Sequence, residues 1–310
     1  MRIVIVGAGA LGSLFGGLLA QSGQKVWLYN PSNIAHIAAI RTDGLHIETP
    51  EGTLQIALSA TDRLDEIGQP VDLLGIFVKA YDTEKALEGT RSLISKETWA
   101  LSVQNGIGSE AIISRHVPET HLLRGTTAQG ATLVRPGLIK WAGRGPTRLG
   151  MFQSKKPTAS LTQEIIAALN QAGLETEWVT DVDPILWEKL LINAAINPLT
   201  ALFDCPNGRL VEDSTLRALL HDIVAEALPL VQPHGIQLSL DQAIDRVEAV
   251  CRATAENISS MLQDVRRGKR TEIDFINGAL VREGERLRQA TPINRLLTAL
   301  VKQRSPYYLP

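Results

Sequence analysis

Three glycines, Gly7, Gly9 and Gly12, directly follow the apolar run Ile3 to Val6 and open a helical pattern. A strand, then G-x-G-x-x-G, then a helix is a narrow constraint on what can fold here. Glycine permits the tight turn, lets a pyrophosphate approach the backbone and allows close helix-to-strand packing. The helix N-terminus then presents unpaired N–H groups to the anion. The triplet alone also fits a structural turn; in this context it points to dinucleotide binding. The same stretch, MRIVIVGAGALGSLFGGLLA, superficially resembles a secretory leader, but glycines at 7, 9, 12, 16 and 17 interrupt it. No uninterrupted run reaches the roughly 18 apolar residues of a membrane span.

From Met1 to about Asp181, short apolar runs alternate with helical segments, the pattern of a parallel sheet covered by helices. Strands are expected at residues 3–6, 25–29, 71–78 and 98–103, with added strands or hairpins near 44–58, 130–133, 139–141 and 147–151. After Thr180 the apolar residues recur at three- and four-residue intervals, and helices are expected at 184–202, 214–231, 239–266, 271–288 and 292–303. Asp183 before Pro184 is a helix start, because proline at the first helical position loses only an amide with no partner. Ser239 with Gln242 fits a capping box. The chain therefore reads as α/β, with a Rossmann-type parallel-sheet domain at 1–181 and an all-helical domain at 182–310. Its 310 residues also exceed the size at which single cores stop growing. No repeat or low-complexity linker separates the halves, so a short junction and mutual packing are expected.

The 31 basic and 33 acidic residues leave a net charge of −2 and no broad positive field for nucleic acid or anionic membrane. The basic stretch Arg266 to Arg270 reads as a solvated loop around Gly268. Cys205 and Cys251 cannot build a disulfide framework, and no spacing suggests a metal site. A cytoplasmic protein with a small-molecule partner is expected, with a homodimer as the assembly to test for.

Several polar residues stand out against this background. The second strand ends Leu28-Tyr29-Asn30, where a carboxylate would hold the ribose 2′-hydroxyl of NAD. Asn30 neither repels nor attracts a 2′-phosphate, and Arg41 helps only if the intervening loop folds back. Lys79 and Asn105 each lie just beyond a strand, on the edge where ligands sit in open parallel sheets; a solvated lysine and an Asn-Gly turn fit equally. In WEKLLINAAINPLTALFDCPNG, Lys189, Asn193 and Asn197 recur every four residues. They drift by only about 40° per step, forming a donor row on an otherwise apolar helix that Pro198 stops. Asn257 and Ser260 are expected one helical turn apart, and Glu272 opens the following helix after Thr271. Asn257-Ile258-Ser259 also matches a glycosylation acceptor, incidental without a secretion signal.

Together GxGALG, the lysine after the third strand, QNGIG, WEKLLINAAINPLTALFDCPNG, ENISSMLQD and TEIDFINGALV resemble the ketopantoate reductase family over essentially the whole chain. The resemblance implies a Rossmann domain joined to a helical domain with substrate in the cleft. It implies NADPH-dependent reduction of 2-dehydropantoate to (R)-pantoate, on the route to pantothenate and coenzyme A. It implies Lys189 as general acid at the substrate carbonyl, and Asn193, Asn197, Asn207, Asn257 and Ser260 as substrate contacts, with Ser260 at the carboxylate. Gly7, Ala8, Gly9, Ala10, Leu11, Gly12, Lys79, Asn105 and Ala131 would touch the cofactor, with Glu272 at the cofactor and active-site edge. Asn30 stands where the family usually has a basic residue, so NAD is also admitted. Hydride arriving at a ketone carbon creates negative charge on oxygen, and a lysine there supplies both a cation and a proton. Two other readings remain: a reductase of another branched 2-oxo acid or an opine, and a non-catalytic dinucleotide sensor.

Overall fold

A computed structural model describes residues 1–68, 70–153 and 160–308. The chain separates into two compact units, Met1–Gln104 with Ser109–Val182, and Asn105–Gly108 with Asp183–Pro310.

The first unit contains β1 (Arg2–Val6), β2 (Lys25–Tyr29), β3 (Leu45–Thr49), β4 (Gly52–Ile56), β5 (Ser59–Thr61), β6 (Leu73–Ile76), β7 (Trp99–Ser102), β8 (Leu122–Thr127), β9 (Gly130–Arg135), β10 (Leu138–Gly143), β11 (Thr147–Met151) and β12 (Thr176–Trp178). Its helices are α1 (Ala10–Gln21), α2 (Ile34–Asp43), α3 (Thr83–Gly89), α4 (Ser109–Ile113) and α5 (Ser160–Gln171). The main sheet runs β12-β11-β8-β7-β6-β1-β2-β5 and a second sheet runs β4-β3-β10-β9. In the main sheet only the β8–β11 pair is antiparallel. This is the Rossmann-type arrangement expected from the sequence. Ile3, Val4, Ile5 and Val6 are at most 2% exposed, because a central parallel strand covered on both faces has no solvent side. The added segments become the β3–β4 and β9–β10 hairpins and the antiparallel β11. The strands β5, β8 and β12 have no counterpart among the expected ones. In β8 the apolar run is broken by Arg124, which stays buried between Glu110, 3.8 Å away, and the ring of Phe152.

A buried histidine joins the layers of this unit. The Gly137 N–H, in the β9–β10 turn, donates to His36 Nδ1 (3.0 Å), and a backbone N–H can only donate. Nδ1 is therefore the bare nitrogen, and His36 Nε2–H donates to Ser13 Oγ of α1 (2.9 Å). Burial lowers the pKa of His36.

The second unit is helical: α6 (Asp183–Phe203), α7 (Arg209–Glu212), α8 (Ser214–Val231), α9 (Leu240–Ala253), α10 (Ser260–Arg266), α11 (Asn277–Leu287) and α12 (Pro292–Arg304). The long α6 packs against α8, α9, α10 and α12, with Leu190, Leu191, Ala194 and Ala195 at most 1% exposed. The capping box is present: Ser239 accepts from the Gln242 N–H, and the Gln242 side chain accepts from the Ser239 N–H. Three expectations are corrected. The helix expected at 239–266 is broken at 254–259. There the Thr254 hydroxyl bonds back to Val250 O (2.7 Å), and Ser259 starts a new helix by accepting from the Leu262 N–H (3.1 Å). Asn257 lies in this break, so it and Ser260 are not one helical turn apart. Glu272 opens a single 3-10 turn, Ile273–Phe275, rather than the next α-helix. That tighter winding eclipses residues three apart and buries both Ile273 and Ile276. Finally, α6 runs Asp183–Phe203, matching the expected 184–202, so Pro198 does not stop the helix. The basic stretch is a loop at Gly268 (φ +64°), with Arg266 paired to Asp204 at 2.7 Å and Arg270 to Asp274 at 3.7 Å.

Because the folded pKa of His36 is depressed, the unfolded chain takes up a proton first. The stability this group confers is whole above the ordinary histidine pKa of about 6.5 and declines as pH falls below it. We expect the melting temperature to drop between about pH 7 and about pH 5, and to drop less in His36→Gln, which keeps a donor and an acceptor but does not titrate. Equal declines in the two proteins would contradict this role.

Candidate active site

At the end of β1 the chain turns at Gly7 (φ +99°), a conformation that side chains rarely adopt. A Cβ on Gly7 would lie 2.5 Å from the backbone nitrogen of Val78, and one on Gly12 would lie 2.3 Å from the Gly7 carbonyl oxygen. Gly9 differs: nothing lies within 4 Å of its Cβ position. Gly7 and Gly12 are thus fixed by the fold, whereas Gly9, the N-cap of α1, faces open space. The first N–H groups of α1, from Ala10, Leu11 and Gly12, have no intrahelical acceptor within reach. An anion approaching Gly9 meets backbone donors and the positive end of the helix dipole, so these residues fit the pyrophosphate of a dinucleotide.

The close approach of Gly7 to Phe77 and Val78 brings Lys79, three residues past β6, beside the same turn. Gln104 holds this edge together. Its Nε2 donates to Val78 O (2.7 Å) and Thr83 Oγ1 (2.9 Å), and its Oε1 accepts from Ser102 Oγ (3.0 Å). Gln104 was not among the expected residues; a polar side chain at the exit of a buried strand is the signal that marks it. Ala131 lies in the second sheet, on β9, which packs against α1.

At the end of β2, Asn30 is nearly buried, and its Oδ1 accepts from the Ser32 N–H (3.1 Å) and Ser32 Oγ (2.9 Å). Asn30 N–H donates to Thr61 O, which places this end beside Asp62. Burial first, and Asp62 second, raise the pKa of Tyr29. Arg41 is ion-paired with Glu66 at 3.6 Å, and Arg63 with Asp65 at 2.6 Å. Both arginines therefore already have a carboxylate partner.

In the second unit α6 carries the donor row. Lys189 and Asn193 are partly exposed and Asn197 is buried. Although Lys189 retains accessible surface, burial of its ammonium pushes the pKa from 10.5 to about 8, and the negative charge of Glu272 pulls the other way. Glu272, from the 3-10 turn, is itself buried. The fold thus brings Lys189 and Glu272, 83 residues apart in the chain, into electrostatic contact. Asn207 is buried; its Nδ2 donates to Thr254 Oγ1 (2.9 Å), while its Oδ1 has no partner among the described residues. Asn257 accepts from the Asn207 N–H through its backbone carbonyl (3.1 Å), and its side chain is exposed, as is that of Ser260. Ser259 rather than Ser260 faces inward and meets Thr200 Oγ1 of α6 at 2.7 Å. Asn105 belongs to the short segment grouped with the helices, where the Ile107 N–H donates to Phe275 O (2.8 Å).

The family model described as ketopantoate reductase PanE/ApbA matches residues 3–154, and the one described as ketopantoate reductase PanE/ApbA C terminal matches residues 181–305. The chain belongs to the ketopantoate reductase family. Curated relatives named 2-dehydropantoate 2-reductase include those of Pyrococcus horikoshii, 38% identical, and Vibrio cholerae, 33% identical; each alignment covers 97% of both chains. Among solved structures, a D-mandelate dehydrogenase with NADH and anilino(oxo)acetate is 31% identical, with a TM-score of 0.90 and 99% of each chain covered. A PanE/ApbA family ketopantoate reductase from Ralstonia eutropha is 30% identical, with a TM-score of 0.89 and both chains fully covered. The chain is therefore an oxidoreductase of this family. Among the described residues no helix is long and apolar enough to cross a membrane, and no cluster of side chains is arranged to hold a metal ion.

The glycine geometry separates folding from binding in this ketopantoate reductase relative. Gly12→Ala must displace backbone and should cost about 1–3 kcal/mol of stability. Gly9→Ala should cost less than about 1 kcal/mol yet weaken dinucleotide binding, because its methyl group enters the open space. Thermal melts and dinucleotide titrations of both variants check this; undiminished affinity in Gly9→Ala would remove the pyrophosphate from this turn.

Proposed function

We propose that the chain reduces 2-dehydropantoate to (R)-pantoate with NADPH, with Lys189 as the general acid. The observation that carries this reading is a lysine whose pKa lies near 8, beside a buried carboxylate, on a helix whose neighbouring turns carry Asn193 and Asn197. Reduction of a ketone needs a hydride at carbon and a proton at oxygen. The dinucleotide supplies the hydride when bound. Lys189 Nζ donates a hydrogen bond to the carbonyl oxygen, stabilises the charge that grows there and passes its proton to give the alcohol. A pKa near 8 suits this task, because the group is mostly protonated at neutral pH and yet releases its proton more readily than an ordinary lysine. Glu272 favours the protonated form before transfer.

The remaining polar groups orient the substrate. Asn193 and Asn197 lie on the same helical face as Lys189. The unpaired Oδ1 of Asn207 can accept from a hydroxyl group, and the exposed Ser260 hydroxyl can donate to a carboxylate. Gly7 to Gly12, Lys79, Asn105 and Ala131 contact the dinucleotide in this reading. A cytoplasmic setting is consistent with the two free, buried cysteines.

A second reading is favoured by two specific observations. The Asn30–Ser32 turn presents neutral groups beside Asp62, which suits a ribose hydroxyl better than a 2′-phosphate. The D-mandelate dehydrogenase at 31% identity was solved with NADH. Under this reading the chain uses NADH and reduces a different 2-oxo acid.

Initial rates at 340 nm with 2-dehydropantoate and with phenylglyoxylate, each with NADPH and NADH, separate the two. The first reading expects the highest kcat/KM for 2-dehydropantoate with NADPH. Preference for phenylglyoxylate with NADH would establish the second, and no dinucleotide oxidation with any 2-oxo acid would leave a sensor. Lys189→Ala should lower kcat by about 10²–10⁴-fold while dinucleotide binding persists. Near-normal turnover in that variant would refute the acid role.

A further inference from the structure

Pro198 sits inside α6. Proline has no N–H, so the carbonyl four residues earlier, that of Ala194, loses its intrahelical donor. The same defect occurs in α8, where Pro229 frees the carbonyl of Ala225; that residue is exposed, and water can serve it. Ala194 is fully buried and has no such recourse.

Asn277, the first residue of α11, fills the gap: its Nδ2 donates to Ala194 O (3.0 Å) and to Asn294 Oδ1 (2.9 Å). Asn294 Nδ2 in turn donates to Glu226 Oε1 (2.8 Å), and the Glu226 carboxylate also accepts the N–H groups of Ile293 and Asn294 in the first turn of α12. A carboxylate and a carbonyl both only accept, so both amide orientations are fixed by the ends of the chain. Asn277 must spend both its N–H groups as donors, and its buried Oδ1 has no partner among the described residues. An unsatisfied acceptor kept in a core calls for a reason other than optimal packing.

Its place in the chain supplies one. Ala194 adjoins Asn193, five residues after Lys189 and three before Asn197, and Asn277 lies five residues after Glu272. We propose that Asn277 is a positioning residue for catalysis: by donating to the carbonyl that Pro198 leaves open, it ties the middle of α6 to the segment carrying Glu272. The spacing of Lys189 and Glu272, and the aim of Asn193 and Asn197, then depend on this one bond. This rests on the reading of Lys189 as the acid. Proline and asparagine form a matched pair, since the missing proline N–H leaves the acceptor open and the amide holds the helix in one register.

The test uses Asn277→Ala and Pro198→Ala in the full chain, with three readouts: the Lys189 side chain titrated directly by NMR in lysine-labelled protein, steady-state kinetics and thermal melting. In Asn277→Ala the middle of α6 loses its anchor and water gains access. Lys189 should then titrate higher than in the parent protein, by about one unit or more, with kcat lower on the order of 10- to 100-fold and dinucleotide affinity retained. Pro198→Ala restores an N–H that competes for the Ala194 carbonyl. It should melt no lower than the parent, yet show the same direction of change in Lys189 titration and kcat. A purely structural role would lower the melting temperature in Asn277→Ala and leave Lys189 where it was in both variants; that result overturns the proposal. A shift of Lys189 without any change in kcat also overturns the proposal, because Asn277 would then hold the lysine without serving catalysis; whether Lys189 is the acid is decided separately by Lys189→Ala. If Asn277→Ala does not fold, the stable Pro198→Ala decides alone.

Discussion

Moving an ammonium group out of water is strongly unfavourable unless opposite charge or hydrogen bonds replace the lost solvation. Lys189 meets that constraint only in part: burial wins over the attraction of Glu272, and the pKa settles near 8. Much of the helical unit bears on this balance. The apolar side of α6, with Leu190, Leu191, Ala194 and Ala195, holds the helix against four others, so Lys189 cannot simply swing away with its backbone. Glu272 is brought to the same place by a 3-10 turn anchored by the buried Ile273 and by Ile276 directly after it, giving the carboxylate a fixed origin. A lysine tuned in this way is a cation and a proton donor near neutral pH, the two properties that a ketone oxygen receiving a hydride requires.

In the sheet unit the corresponding constraint is steric. Gly7 and Gly12 are excluded from bearing side chains by backbone atoms, and that same closeness brings β6, with Lys79 at its exit, against the turn. Only Gly9 is left facing open space, where backbone donors and a helix dipole favour an anion. Gln104 and His36 show how much polar bonding supports this geometry, one fixing the exits of β6 and β7, the other joining α1, α2 and the β9–β10 turn.

Much of this could be read from the chain itself. Continuous apolar residues mark β1, glycine spacing marks the turn, and the four-residue interval of Lys189, Asn193 and Asn197 marks one helical face; each is a local signal with a period. What escaped is set by contacts between distant residues or by local competition. The strand β8 is hidden by Arg124, which is buried because Glu110 and Phe152 reach it from elsewhere. At the break at 254–259 the Thr254 hydroxyl adds a second bond to Val250 O and the Ser259 hydroxyl caps a new helix, and the apolar periodicity across it gives no warning. The bond from Asn277 to Ala194 spans 83 residues and follows from the proline only when the fold is known. Asn30 was legible as a missing charge, but its engagement by Ser32 and the pairing of Arg41 with Glu66 required the structure.

Reduction and oxidation must pass through the same transition state, so a group that donates a proton in one direction accepts it in the other. The pH dependence of kcat/KM measured in both directions, which reports the groups of the enzyme before substrate binds, therefore tests the role of Lys189 most directly. If Lys189 is the acid, ketone reduction falls and alcohol oxidation rises through one shared pKa near 8, and Lys189→Met abolishes both limbs. If the two limbs occur at unrelated pH values, or survive unchanged in Lys189→Met, the proton comes from elsewhere and the assignment is wrong.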